Sequence, residues 1–131
     1  MMRFLTEHKT MNPLQFCDVE TRDEPGAGGA NHLYRVTACH AAPGEMAEEK
    51  DIYRLDIRFQ DGPRNEHGST VGVIDTALLA ILIDRLQSFQ SGPFSSREGA
   101  IALTHLQEAL LWSDKRAADR TARGVMGKNQ K

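Results

Sequence analysis

The chain has 131 residues, enough for one domain with a modest core, and carries 16 basic against 18 acidic residues for a net charge of −2. That balance excludes a general electrostatic footprint for nucleic acid, so any anion site must come from a local arrangement of charge. The longest apolar run, Ala77 to Ile83, is too short to span a bilayer. The start, Met1-Met2-Arg3-Phe4-Leu5, passes directly into Thr6-Glu7-His8-Lys9 without a signal-peptide core. Cys17 and Cys39 stand outside any CxxC pattern, which fits reduced thiols in a cytosolic setting.

Residues 1–22 alternate weakly and define no element. Asp23 to Asn31 (DEPGAGGAN) is turn chemistry. Its Gly-Ala-Gly-Gly lacks GxGxxG spacing and no helical pattern follows, so a hairpin turn is expected and a phosphate loop is not. His32 to His40 alternates with a period of two and predicts a strand. A polar loop follows from Ala41 to Lys50. Ile52 to Phe59 alternates again, with Tyr53, Leu55, Ile57 and Phe59 on one face, the pattern of a half-buried strand. Gln60 to Gly72 reads as a long connection.

A helix is expected from Asp75 or Thr76, either of which can cap its first turn. Ala77 to Ile83 is apolar nearly all round, which predicts packing against both the sheet and a neighbouring helix. Ser91-Gly92-Pro93-Phe94 turns the chain, and Ser95 with Glu98 fits a capping box for a second helix. Leu103, Leu106, Leu110, Ser113 and Ala117 recur at three and four residues as a seam, and Gly124 suits a left-handed stop. The expected fold class is α+β: a small N-terminal antiparallel β-sheet (about 1–72) packed on a C-terminal two-helix antiparallel hairpin (about 75–124), in a single domain spanning 1–131. The apolar surface of Ala77 to Ile83 exceeds what a small sheet covers, so the chain is expected to self-associate.

Trp112, Arg116 and Arg120 are spaced i, i+4, i+8 and share one stripe, with Arg123 beside it. An indole can stack a base, and arginine forks match phosphate oxygens. The same pattern fits a core tryptophan and a solvated helix end, its arginines paired with Asp114 and Asp119. The start of the second helix offers the N–H groups of Ser96, Arg97 and Glu98 with the charge of Arg97. That stretch fits a well-capped helix with an exposed arginine equally well. His8, His32, His40, His67 and His105 form no HExxH or Cys/His metal spacing, and His105 reads as a structural, hydrogen-bonded histidine beside the seam. No GxSxG, Walker loop or paired-carboxylate motif occurs. Neither a catalytic residue nor a metal nor a cofactor is indicated, and a binding protein is expected in place of an enzyme.

The segments RFQDGP (Arg58–Pro63), ALLAILIDRLQSFQSGPFSSREGAIALTHLQEALLW (Ala77–Trp112) and KRAADRTARGVMG (Lys115–Gly127) resemble the hairpin family of phage anti-defence proteins. Its members include the first Thoeris anti-defence type and its anti-CBASS relatives, and the resemblance covers about residues 30–131. It implies a non-enzymatic sponge that withholds cyclic-nucleotide immune signals from their effectors in the cytoplasm of an infected bacterial host. The implied ligands are glycocyclic ADP-ribose (gcADPR) and cyclic di- or trinucleotides. They would be held between subunits of a homo-oligomer, a dimer or a hexamer built as a trimer of dimers, with no membrane or nucleic-acid polymer as partner. Carried over by position, the base-stacking aromatic falls on Phe89 and the arginine pair on Arg116 and Arg120, with Arg97, Gly99 and Arg64 also near the ligand; Arg123 joins them from its place beside the stripe. The family's usual Arg-Glu-Asn reads Arg97-Glu98-Gly99 here. Since glycine costs helix stability, asparagine at position 99 is expected to raise the melting temperature. Two rivals remain on the sequence alone: a nucleic-acid-binding regulator and a cyclic-nucleotide phosphodiesterase.

Overall fold

The structure, a computed structural model, describes residues 2–9, 17–39, 48–62 and 67–124. It is α+β: four antiparallel strands precede two helices. The chain divides into a strand unit that ends at Gly72 and a helical unit that runs from Val73.

The strands β1 (Phe4–Leu5), β2 (Cys17–Thr21), β3 (Leu33–Cys39) and β4 (Ile52–Arg58) form one sheet in the order β1-β2-β3-β4. β3 and β4 fall where the alternation predicts them. β1 and β2 lie in the stretch where the sequence defines no element, since Val19 is the one large aliphatic residue of β2. Pairing supplies what local propensity lacks: β2 runs against β3 from Cys17 opposite Ala38 to Thr21 opposite Tyr34.

Buried polar groups tie β1 to the rest. Thr21 is fully buried; its N–H donates to the Arg3 carbonyl and its Oγ1 accepts from the Arg3 N–H, both at 2.9 Å. The Arg3 guanidinium donates to Asn31 Oδ1 at 3.2 Å, and Asn31 Nδ2 donates to the Asp23 carbonyl at 2.7 Å. The buried side chains of Thr21 and Asn31 thus find partners. The glycine-rich stretch joins β2 to β3 as a hairpin connection, with Gly28 and Gly29 at φ of 74° and 81°, where a side chain would be strained. At its base the Asp23 carboxylate accepts from the His32 N–H at 3.0 Å and from Asn31 at 3.1 Å. Burial pushes its pKa up, but these hydrogen bonds outweigh that and leave it below the usual value.

β4 corrects one expectation. Its alternation reads as half-buried, yet on this outer strand Tyr53 is 64% and Leu55 42% exposed, while Ile57 and Phe59 of the same face are half-buried. Arg35 and Asp56, opposite each other across β3 and β4, form a two-pronged ion pair of 2.8 and 3.2 Å. Hydrogen bonding within that pair lowers the Asp56 pKa and raises that of Arg35. The register also separates the thiols. Cys17 sits opposite Ala38, so it and Cys39 project from opposite faces of the sheet and cannot bridge.

Helices α1 (Asp75–Gln90) and α2 (Arg97–Ala122) are joined by six residues, so α2 runs back along α1. Neither cap matches the sequence reading. α1 is capped by Ile74 without a side-chain hydrogen bond, and Asp75 lies inside the first turn, where its charge still suits the helix dipole. α2 is capped by Ser96 in place of Ser95, its Oγ accepting from the Gly99 N–H at 2.9 Å, so Glu98 does not complete a capping box. The seam of α2 follows the predicted period through Leu103, Leu106, Leu110, Ser113 and Ala117, all half-buried, and continues to buried Arg120. Ile83 anchors α1 from the other side. On α1, Ile81 is 58% and Leu82 47% exposed. Gly124, at φ 72°, ends α2 in the left-handed conformation.

Candidate functional site

α2 has 26 residues against 16 in α1, so its last ten or so project past the start of α1. This overhang carries the cationic stripe. Trp112, Lys115, Arg116, Asp119, Arg120 and Arg123 line an open hollow of about 880 Å³ along it. Trp112 is 69% exposed, which rules out the reading that makes it core. Lys115 Nζ lies 3.1 Å from Asp119 Oδ2, so Asp119 is paired with the lysine one turn before it. Arg116 and Arg123 are exposed, while Arg120 is only 8% exposed. The arginine pair is therefore unequal: Arg116 can reach a ligand without unpacking anything, whereas the Arg120 side chain is buried.

Phe89, Arg97 and Gly99 gather at the opposite end, around the turn. Phe89 is 41% exposed on the last turn of α1, and the guanidinium carbon of Arg85 stands 5.4 Å from its ring centroid. The sequence reading passed over Arg85, although its i, i+4 spacing from Phe89 would have found it. Arg97 is the exposed first residue of α2. Beside it, the Ser96 N–H donates to Gln90 Oε1 at 3.0 Å and is not open to an anion. Gly99 lies under the same glutamine: a Cβ there would come within 2.6 Å of Gln90 Oε1.

These two groups do not meet within one chain. Arg97 and Arg116 are 19 residues apart on a single continuous helix, roughly 28 Å at 1.5 Å per residue. Arg64 falls outside the described residues. His105 is 70% exposed with Nδ1 3.8 Å from Glu108 Oε2, a surface residue and not the structural histidine expected beside the seam. Among the described residues no cluster of three or more His, Cys, Asp or Glu could hold a metal. No helix among them is long and apolar enough to cross a membrane.

Two comparisons with known proteins bear on this chain. The protein is 49% identical over 75 residues to "Thoeris anti-defense 1" of Bacillus phage SBSphiJ7, an alignment that covers 57% of this chain and 52% of that protein. The chain thus spans about half the length of the relative it matches. A family model described as "Acb2/Tad1, hairpin domain" matches residues 51–118, from the residue before β4 well into the overhang of α2. That match takes in more than half of the chain, and with it the chain belongs to the Acb2/Tad1 hairpin-domain family.

Proposed function

We propose that this protein is a phage anti-defence sponge, which binds cyclic-nucleotide immune signals and withholds them from host effectors without degrading them. The observation that carries the reading is the separation of stacking and cationic groups along one hairpin. A cyclic signal presents flat bases and phosphates within a far shorter span than the roughly 28 Å between Arg97 and Arg116. A second copy laid antiparallel brings Phe89 of one hairpin to the exposed Arg116 and Arg123 of the other, with Arg120 beneath them. The apolar surface left open on the helical unit, Ile81, Leu82, Leu111 and Trp112, suits such a partner. The chemistry takes gcADPR and cyclic di- or trinucleotides alike: an aromatic face for a base, arginine forks for phosphates. The protein acts as a homo-oligomer, a dimer or a trimer of dimers, in the cytoplasm of the infected host. To outcompete effectors it needs nanomolar binding, about −12 kcal/mol.

Sequestration and destruction give opposite outcomes in one experiment. The protein is incubated with gcADPR and, separately, with cyclic GMP–AMP, then denatured by heat, and the supernatant is analysed by liquid chromatography. Full recovery of the intact signal is expected, since a hydrolase needs an activated nucleophile or a metal. Linear product forming faster than in buffer overturns the reading.

A further inference from the structure

We propose that Arg85 is a positioning residue for the stacking platform: its guanidinium backs one face of the Phe89 ring and holds the other face ready for a nucleobase. The proposal builds on the sponge reading and adds to it a residue outside the cationic overhang.

Arg85 and Phe89 are one turn apart on α1, both exposed, and the guanidinium carbon is 5.4 Å from the ring centroid. That lies inside the range of a cation–π contact. Phe89 sits on the last turn of α1 with 41% of its surface open, so little packing fixes the ring. The arginine supplies that restraint. It also occupies one of the two faces, so a base entering the site can stack on the other face alone. A cation behind the ring draws π density away from the open face. The platform therefore suits an electron-rich purine and disfavours a second cation. Ordering the ring before the ligand arrives also lowers the entropy lost on binding.

Calorimetric titration with gcADPR and with cyclic GMP–AMP tests this on wild type, Arg85→Ala, Arg85→Lys, Phe89→Ala and the Arg85→Ala/Phe89→Ala double variant. Arg85→Ala is expected to weaken binding roughly three- to fivefold at an unchanged melting temperature, and Arg85→Lys to recover most of the loss. Phe89→Ala should cost roughly tenfold or more. The double variant should bind no worse than Phe89→Ala, because Arg85 acts through the ring. Losses that multiply in the double variant mean that Arg85 touches the ligand itself and overturn the positioning role. Wild-type affinity in Arg85→Ala overturns it as well and leaves the sponge reading standing. Absence of binding by the wild type to either nucleotide overturns the sponge reading, and the role of Arg85 falls with it.

Discussion

The side-chain amide of Gln90 and the main chain of Ser96 exchange two hydrogen bonds, Nε2 to the Ser96 carbonyl and the Ser96 N–H to Oε1, each 3.0 Å long. The last side chain of α1 thereby fixes the residue that caps α2, and both lie over Gly99. A Cβ at position 99 would come within 2.6 Å of Gln90 Oε1 and 2.9 Å of Ser96 Oγ. Glycine at this point answers a close approach, whatever its helix propensity.

The first prediction reverses the expectation drawn from propensity. Gly99→Asn gains a few tenths of a kcal/mol of helix propensity. Displacing Gln90 costs two hydrogen bonds of about 1 kcal/mol each, and the cap is crowded as well. The asparagine variant should therefore melt below wild type, by about 1–2 kcal/mol in stability. In a Gln90→Ala background the loss should shrink to what the remaining crowding against Ser96 Oγ costs. Thermal denaturation of the four proteins checks both statements.

Arg116→Ala and Arg120→Ala should part company. Each should lose about 1.5–3 kcal/mol of affinity for a cyclic nucleotide in calorimetry, the scale of a charged hydrogen bond. Arg116 is exposed, so its variant should melt like wild type. Arg120 is 8% exposed, and its truncation should also lower the melting temperature, since a long buried stem is lost from the seam. Equal melting and unchanged binding in both would remove these residues from the site.

Assembly should be visible in the light of the single tryptophan. Trp112 is 69% exposed in one chain, and Leu111 beside it 68%. Light scattering should return a multiple of 14.6 kDa at micromolar concentration. Trp112 emission should shift to the red on dilution as the interface opens. Ile81→Glu should favour the smaller species. A monomer mass with emission independent of concentration would remove the second copy on which the composite pocket depends.

Asp23 gives the strand unit a defined acid limit. Its folded pKa lies below the usual 3.8 because the hydrogen bonds from His32 and Asn31 outweigh the burial that raises it. A group depressed on folding contributes stability that is present above its unfolded pKa and is lost as pH falls through the folded value. Urea midpoints should hold down to about pH 4 and fall below it. Asp23→Asn should be less stable at neutral pH and flatter across that acid window.

The sequence was most legible where one period governs. The three- and four-residue recurrence of α2 locates the seam at Leu103, Leu106, Leu110, Ser113 and Ala117. Arg120 shows how two local rules compete: it is four residues after Arg116 and three after Ala117, so charge assigns it to the ligand face and periodicity to the seam. Burial follows periodicity. The choice between Ser95 and Ser96 as cap could not be read from the chain, since it turns on the reach of Gln90 from another helix. β2 was illegible for a similar reason, because its support comes from pairing with β3 and from Arg3 on Thr21. The separation of Phe89 from Arg116 follows from helix length alone, so the sequence already held the span that one chain cannot close.

Each strand pairs only with its neighbour in sequence, and α2 turns back on α1 after six residues. Among the described residues no strand or helix waits for a distant segment before its main-chain partners exist. Pairing between sequence neighbours shortens the search for the native state relative to a sheet built from distant segments. During synthesis the strands can be joined one after another as they emerge, and the helices close as a pair once α2 has followed the Gln90–Ser96 turn out. For the proposed pair of chains the slow step is then the meeting of two finished copies, at a rate that rises with the amount of protein made.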